Sequence, residues 1–330
     1  MKKTLKTMLA LAALSPLLSA PAFAYDKGVY GRDDREDLFT ASGKIARLAD
    51  SVVSLWSSAD VRENLATGTF VLRTTKFADY MNLCPGEKFR EQPSGPFCSG
   101  SLVGEDMILT AGHCATNQAD CDNMKIVFGF ALKSSGASAP AEIKPGEVYS
   151  CKEVISTFET EQPDHFDYAL IRLDRKVSGH KPLAINRERN IKEGDKLLVI
   201  GHPKGLPLKI TGGGIVRNAS PIGYFVTDLD TFGGNSGSPV FNAATGLIEG
   251  ILVAGDEDFV RTSAGCTAVA TYAQNGGRGE AVSRASAIES RIPELAKGKK
   301  PGKPAFRDVK VIEAPGGQAD LSRYFENAFR

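Results

Sequence analysis

Three short segments carry residue types that can do covalent chemistry. In chain order they are Cys98-Ser-Gly-Ser-Leu-Val-Gly-Glu-Asp-Met-Ile-Leu-Thr-Ala-Gly-His-Cys114, Asp167-Tyr-Ala-Leu-Ile-Arg-Leu173 and Asp230-Thr-Phe-Gly-Gly-Asn-Ser-Gly-Ser-Pro-Val-Phe241. A serine hydroxyl is a weak nucleophile at neutral pH and needs a base beside it to take its proton. Imidazole suits that role because it titrates near neutrality. A buried carboxylate must then fix the imidazole tautomer and stabilise the cation that forms. Ser236, His113 and Asp167 supply these three groups. An oxyanion formed on the attacked carbonyl needs converging backbone N–H donors. Gly233, Gly234 and Gly237 around Ser236 permit the positive-φ backbone such a turn requires, so Gly234 and Ser236 are the expected donors.

The elements that must hold these groups read as β. Short apolar runs at 125–130, 168–173, 196–200, 224–229 and 247–253 are separated by Gly, Pro, Asn and Asp. That texture predicts an antiparallel all-β sandwich or barrel rather than a βαβ sheet. Helical periodicity is weak until 280–295, where Val282, Ala285, Ile288 and Ile292 recur at helix-like intervals and predict a C-terminal helix. The expected globular unit runs from 46 to 296, preceded by an N-terminal segment at 25–45. The basic, apolar-free stretch 297–303 reads as a solvated linker, followed by a tail to Arg330.

The first residues bound the compartment. Lys2, Lys3 and Lys6 precede the apolar run 7–18 and then Ala22-Phe23-Ala24, the pattern of a secretory signal cut before Tyr25. The run is too short to span a bilayer, and no Cys follows the signal to carry a lipid. A secreted or periplasmic protein without membrane anchor is expected. Losing the three signal lysines takes the formal charge from +1 to −2, which suggests neither nucleic acid nor anionic membrane as partner. Six cysteines in an exported chain predict disulfides. No CxxC is present, and Cys121, Cys151 and Cys266 lack neighbouring His in a ligand pattern, so no metal is expected.

With these residues stated, the chain resembles the chymotrypsin-like serine proteases, and more closely their bacterial branch that includes the glutamyl endopeptidases. Thr-Ala-Gly-His-Cys, Asp-Tyr-Ala-Leu and Gly-Asn-Ser-Gly-Ser-Pro stand in that family's order over about residues 30 to 295. The resemblance implies two six-stranded antiparallel β-barrels with the active site between them. His113 and Asp167 would come from the first barrel, Ser236 from the second. It implies an endopeptidase working through an acyl-enzyme without cofactor, as a monomer acting on protein or peptide substrates. The Cys98 to Cys114 spacing is similar to the family's disulfide that braces the histidine loop. Cys121 with Cys151 is then expected to brace a loop of the first barrel, leaving Cys84 with Cys266.

The resemblance also places a substrate pocket at Asp230, Thr231, Leu252, Val253 and Gly255. Asp230 lies six residues before Ser236, where trypsin-like members carry the acid that binds Arg or Lys, and Asp256-Glu257-Asp258 would add negative potential. Glutamyl-specific members can carry a similar string before the serine, but they place a His where this chain has Leu252, which argues against glutamate preference. A broad or apolar preference is the other alternative. Many members have Asp before the nucleophile to receive a freshly cut N-terminus. Here Asn235 cannot form that ion pair, so the Gly234 loop should be shaped by hydrogen bonds alone, and any propeptide should be short, within Tyr25 to Tyr30. His165, His180 and His202 read as loop or turn residues. Two other functions would require a different set of residues. An inactive binding module would lack a triad residue or an oxyanion glycine, and an esterase of the nucleophile-elbow type would run Ser first and His last.

Overall fold

The computed structural model describes residues 27–41, 43–160 and 166–295. The signal, Tyr25, Asp26, His165 and the linker and tail beyond residue 296 lie outside these residues. Twelve strands form two barrels. In the first, β1 (Val52–Ser57), β2 (Cys98–Leu102), β3 (Met107–Thr110), β4 (Met124–Val127), β5 (Val148–Glu159) and β6 (Asp167–Leu173) pair antiparallel in the closed order β4-β5-β6-β3-β2-β1. The second contains β7 (Lys196–Gly201), β8 (Lys209–Asn218), β9 (Tyr224–Thr227), β10 (Pro239–Asn242), β11 (Ile248–Ala254) and β12 (Glu280–Arg284). Their order is β7-β10-β11-β12-β9-β8, closed by β7 on β8. Closure leaves no free edge, which is how a protein built of short strands protects its backbone hydrogen-bonding groups.

Sequence explains the strands. β-branched and aromatic residues such as Val52, Val53, Trp56 and Ile126 suit a pleated, packed surface, and all four are buried. Leu197, Val199, Val216, Phe225, Leu229, Val240, Leu252 and Val282 pack together as the core of the second barrel. In the first barrel Trp56 meets Phe130 edge to face, centroids 5.1 Å apart. Among the described residues no helix is long and apolar enough to cross a membrane.

The segment 280–295 departs from its helical expectation. It begins as strand β12, buried throughout Glu280–Ser283, and continues as two single 3-10 turns, Ala285–Ala287 and Glu289–Arg291. The apolar spacing misleads because 3-10 turns repeat every three residues, close to the 3.6 of an α-helix. The barrel also needed a sixth strand beside β11, and tertiary pairing overrides weak local periodicity.

Three disulfides join Cys98 to Cys114, Cys121 to Cys151 and Cys84 to Cys266. Residues 27–37 form an arm on the second barrel. Val29–Tyr30 pairs parallel with Thr271–Tyr272, and Arg35–Asp37 adds antiparallel to β8. Arg35 is fully buried, bonded to Asp33 at 2.9 and 2.6 Å, its guanidinium 3.6 Å from the Phe232 ring centre.

Candidate active site

Asp167 opens β6 and is 1% exposed. A buried carboxylate is tolerated only when its oxygens are satisfied. Oδ2 lies 2.7 Å from Nδ1 of His113, and Oδ1 accepts the N–H groups of Gly112 at 2.5 Å and of His113 at 3.2 Å. The carboxylate therefore holds both the ring and the backbone of the 3-10 turn Gly112–Cys114. The turn needs glycine at 112, since a Cβ there would stand 2.5 Å from the Phe158 carbonyl oxygen. With Nδ1 donating to a carboxylate, Nε2 keeps its lone pair and can accept a proton. Across the interface, the Asp167 N–H donates to Ser283 Oγ of β12 at 3.2 Å.

Ser236 sits between β9 and β10 and faces the cleft. His113, Gly233, Gly234 and Ser236 line one cavity of about 690 Å³ between the barrels. Ser99 of β2 fastens this loop to the first barrel: its N–H donates to Ser236 O at 2.9 Å and its Oγ to Gly234 O at 2.8 Å. Gly234 has φ +90° and Gly237 φ +83°. A Cβ on Gly237 would lie 2.2 Å from both Ser99 O and Thr110 Oγ1, so only glycine fits. Among the described residues no acceptor takes the N–H of Gly234 or of Ser236, whereas Asn235, Gly237 and Ser238 each donate within the loop or to Leu252. Asn235 is buried, its Oδ1 accepting from Ser238 Oγ at 3.2 Å. An ion pair adjoins the loop nonetheless: Lys204 Nζ meets Asp258 Oδ2 at 2.6 Å, and that oxygen also accepts the Gly233 N–H at 3.0 Å. The expectation of hydrogen bonds alone is corrected accordingly.

The expected pocket residues fare differently from one another. The arm passes through the space they frame. Lys27 is fully buried, and its Nζ donates to Ser236 Oγ at 3.1 Å and to Val253 O at 3.3 Å. Gly28 O accepts the Thr231 N–H at 3.0 Å. Asp230 spends both oxygens on the arm, accepting the N–H groups of Tyr30 and Asp34 at 2.7 Å each. Burial pushes its carboxyl up to about 7 against the pull of those two amides. Leu252 points into the second-barrel core rather than toward substrate. Gly255 packs on Glu280, where a Cβ would meet Oε1 at 2.2 Å. Of the loop 256–258, expected to add negative potential, Asp256 takes the Arg278 N–H at 2.6 Å and the Tyr30 hydroxyl at 3.0 Å, Asp258 pairs with Lys204, and Glu257 is exposed.

Two acidic or basic groups in this region escaped the sequence reading. Glu280, fully buried, accepts from Gly28 N (3.0 Å), Tyr30 OH (2.9 Å) and Thr231 Oγ1 (2.6 Å), and burial raises its carboxyl well above the usual range. Lys27 is lowered by burial, opposed by Glu280 and Asp258. Glu280 stands between Gly279 and the short apolar pair Ala281-Val282, and that was the one available signal for it. His202, at the turn between β7 and β8, is buried and donates from Nδ1 to Leu206 O at 3.0 Å. His180 is more than a turn residue: it lies between Asp50 (3.0 Å) and Glu147 (2.8 Å), stacked on Phe128. The cluster Cys98, His113 and Cys114 includes a disulfide, so its sulfurs are not thiolates able to ligate a metal.

Residues 98–251 match the family described as trypsin-like peptidase domain. Relatives include snake venom serine protease 3 of Protobothrops jerdonii, 31% identical over 121 residues, 36% of this chain and 43% of that protein. The protein of the same name in Protobothrops flavoviridis is 35% identical over 91 residues, 28% of this chain and 32% of its own. The chain thus spans less than half the length of these relatives. A solved Glu endopeptidase in complex with MPD aligns over 80% of this chain and 96% of that one at 17% identity, TM-score 0.48. The sequence match runs from the first residue of β2, through the His113 turn and Ser236, into β11.

Proposed function

We propose that the chain is a serine endopeptidase that hydrolyses peptide bonds through an acyl-enzyme. Ser236 Oγ attacks the scissile carbonyl as His113 Nε2 takes its proton. The tetrahedral oxyanion is received by the N–H groups of Gly234 and Ser236. His113 then returns the proton to the leaving amine, and water repeats the sequence in reverse to free the acid. Asp167 holds the ring and stabilises the imidazolium. The observation that carries this reading is the 2.7 Å bond between His113 Nδ1 and a carboxylate whose other oxygen is already filled by amides. It assigns the base's role to Nε2, in the cavity that His113 and Ser236 both line.

A preference for Arg or Lys on the acyl side belongs to the same reading. Its support is that the space framed by Thr231, Val253 and Gly255 already holds a lysine ammonium, with the Glu280 carboxyl nearby. Asp230 can act in that preference only after the arm releases its two oxygens. Export through the N-terminal signal is supported by the three disulfides, which persist in oxidising compartments.

The test is labelling of the folded protein, without its signal segment, by a fluorophosphonate. Labelling at Ser236 is expected, abolished in Ser236→Ala and slowed by roughly 10³-fold or more in His113→Ala. Correctly folded protein that takes no label would overturn the reading. Cleavage profiling on a peptide library, with Arg or Lys enriched before the cut, checks the preference.

A further inference from the structure

The loop that offers the oxyanion donors is clamped at one peptide. The Gly233 N–H donates to Asp258 Oδ2 at 3.0 Å, and the Gly233 carbonyl accepts the Lys204 N–H at 2.5 Å. That carbonyl belongs to the same peptide as the Gly234 N–H. In a trans peptide C=O and N–H point in opposite directions. Holding the carbonyl on the Lys204 N–H therefore turns the Gly234 N–H away from that donor, and Gly234 lines the cavity that His113 and Ser236 share.

Lys204 itself is in an unfavourable conformation. Its backbone is left-handed, φ 47° and ψ 33°, where a residue other than glycine needs support from its surroundings. The support is visible. Lys204 Nζ meets Asp258 Oδ2 at 2.6 Å; Asp258 is 2% exposed and the Lys204 side chain 20%, so the pair is screened less than a surface pair. One carboxylate thus ties down the side chain that stabilises the turn and the amide on the near side of the clamped peptide. Its other oxygen accepts the Lys27 N–H at 2.8 Å, which joins the arm to the same group.

We propose that Lys204 and Asp258 are positioning residues for the oxyanion hole: their ion pair keeps Lys204 in its left-handed turn, and that turn aims the Gly234 N–H at the reaction centre. This inference rests on the serine peptidase reading. It assigns the ordering of the loop to two residues outside the segment that carries Ser236, in a chain where Asn235 cannot form an ion pair of its own.

The test compares two double variants with the same charge and different backbone freedom. Lys204→Met with Asp258→Asn removes the ion pair but keeps a side chain that disfavours the left-handed turn. Lys204→Gly with Asp258→Asn removes the pair and the disfavour together. The Met variant is expected to lose roughly 30-fold or more in kcat with KM within about two-fold, and to lose a peptide boronate's affinity by the same factor. Affinity for a product peptide should stay unchanged. The Gly variant is expected to recover to within about five-fold of wild type. Met-variant kcat and boronate affinity within about two-fold of wild type would overturn the proposal, as would equal losses in the two double variants. If a double variant does not fold, Lys204→Arg and Lys204→Ala replace them: the proposal requires kcat within about three-fold of wild type for Arg and at least ten-fold below it for Ala, and equal losses overturn it. A wild type that fluorophosphonate does not label sinks the peptidase reading and this one with it. A labelled wild type with unaffected variants sinks this one alone.

Discussion

At the scale of single residues, backbone geometry decides what the side chains can do. Gly237 lies at φ +83° with Ser99 O in the place a Cβ would take. Gly237→Ala is expected to destabilise the fold by at least about 2 kcal/mol and to displace Ser236, read together by denaturant unfolding and fluorophosphonate labelling. His202 gives a pH test. Burial lowers it to about 3 from an ordinary value of 6.5, so the unfolded chain binds a proton that the folded chain refuses across that interval. Stability from this group is full above about 6.5 and is lost as pH falls toward 3, on the order of 4 kcal/mol in all. His202→Asn retains a donor for Leu206 O, and its stability should fall less steeply over the same range. An identical slope in both proteins would show that His202 is not the group responsible.

At the scale of elements, the arm is the unexpected part. Residues 27–37 read as a short N-terminal segment, yet they cross the space that the resemblance assigns to substrate and meet Asp230, Thr231, Val253, Asp258 and Glu280. None of these contacts is local, since Lys27 and Ser236 stand 209 positions apart. No periodicity or turn signal could have announced them. With Lys27 Nζ on Ser236 Oγ, the proposed peptidase activity requires a substrate side chain to displace the arm before entering the proposed pocket. Lys27→Ala is therefore expected to speed fluorophosphonate labelling several-fold. A rate equal to wild type would mean that the arm yields without hindrance from this contact.

At the scale of the whole molecule, the two barrels are closed units joined by strand and loop residues that face each other. The bond from Asp167 N to Ser283 Oγ and the contacts of Ser99 with the Ser236 loop tie one barrel to the other. The Cys84–Cys266 bridge spans 182 positions, from the segment before the first motif to the hairpin after Asp258. A bridge over so long a loop restricts the unfolded chain strongly. Replacing both cysteines by alanine is expected to lower unfolding free energy by roughly 3–5 kcal/mol, seen as a lower denaturant midpoint with an increased m-value.

The residues of the site were legible because their chemistry is written in contiguous strings: Ala111-Gly-His-Cys114 binds its own turn, and Gly233 to Gly237 form one loop whose glycines are required where they stand. The β character was legible for the same local reason, since alternating and β-branched runs mark strands wherever they later pair. What only the tertiary structure decided were the contacts between distant segments. It turned 280–295 into a barrel strand and two 3-10 turns, because β11 and β9 needed a neighbour. It gave Asp230 to the arm rather than to the pocket, and it set Lys204 and Asp258 at the back of the Gly233 peptide. All three depend on burial and on partners outside their own segment, 200 positions away for Asp230, and none is a property of a short window of sequence.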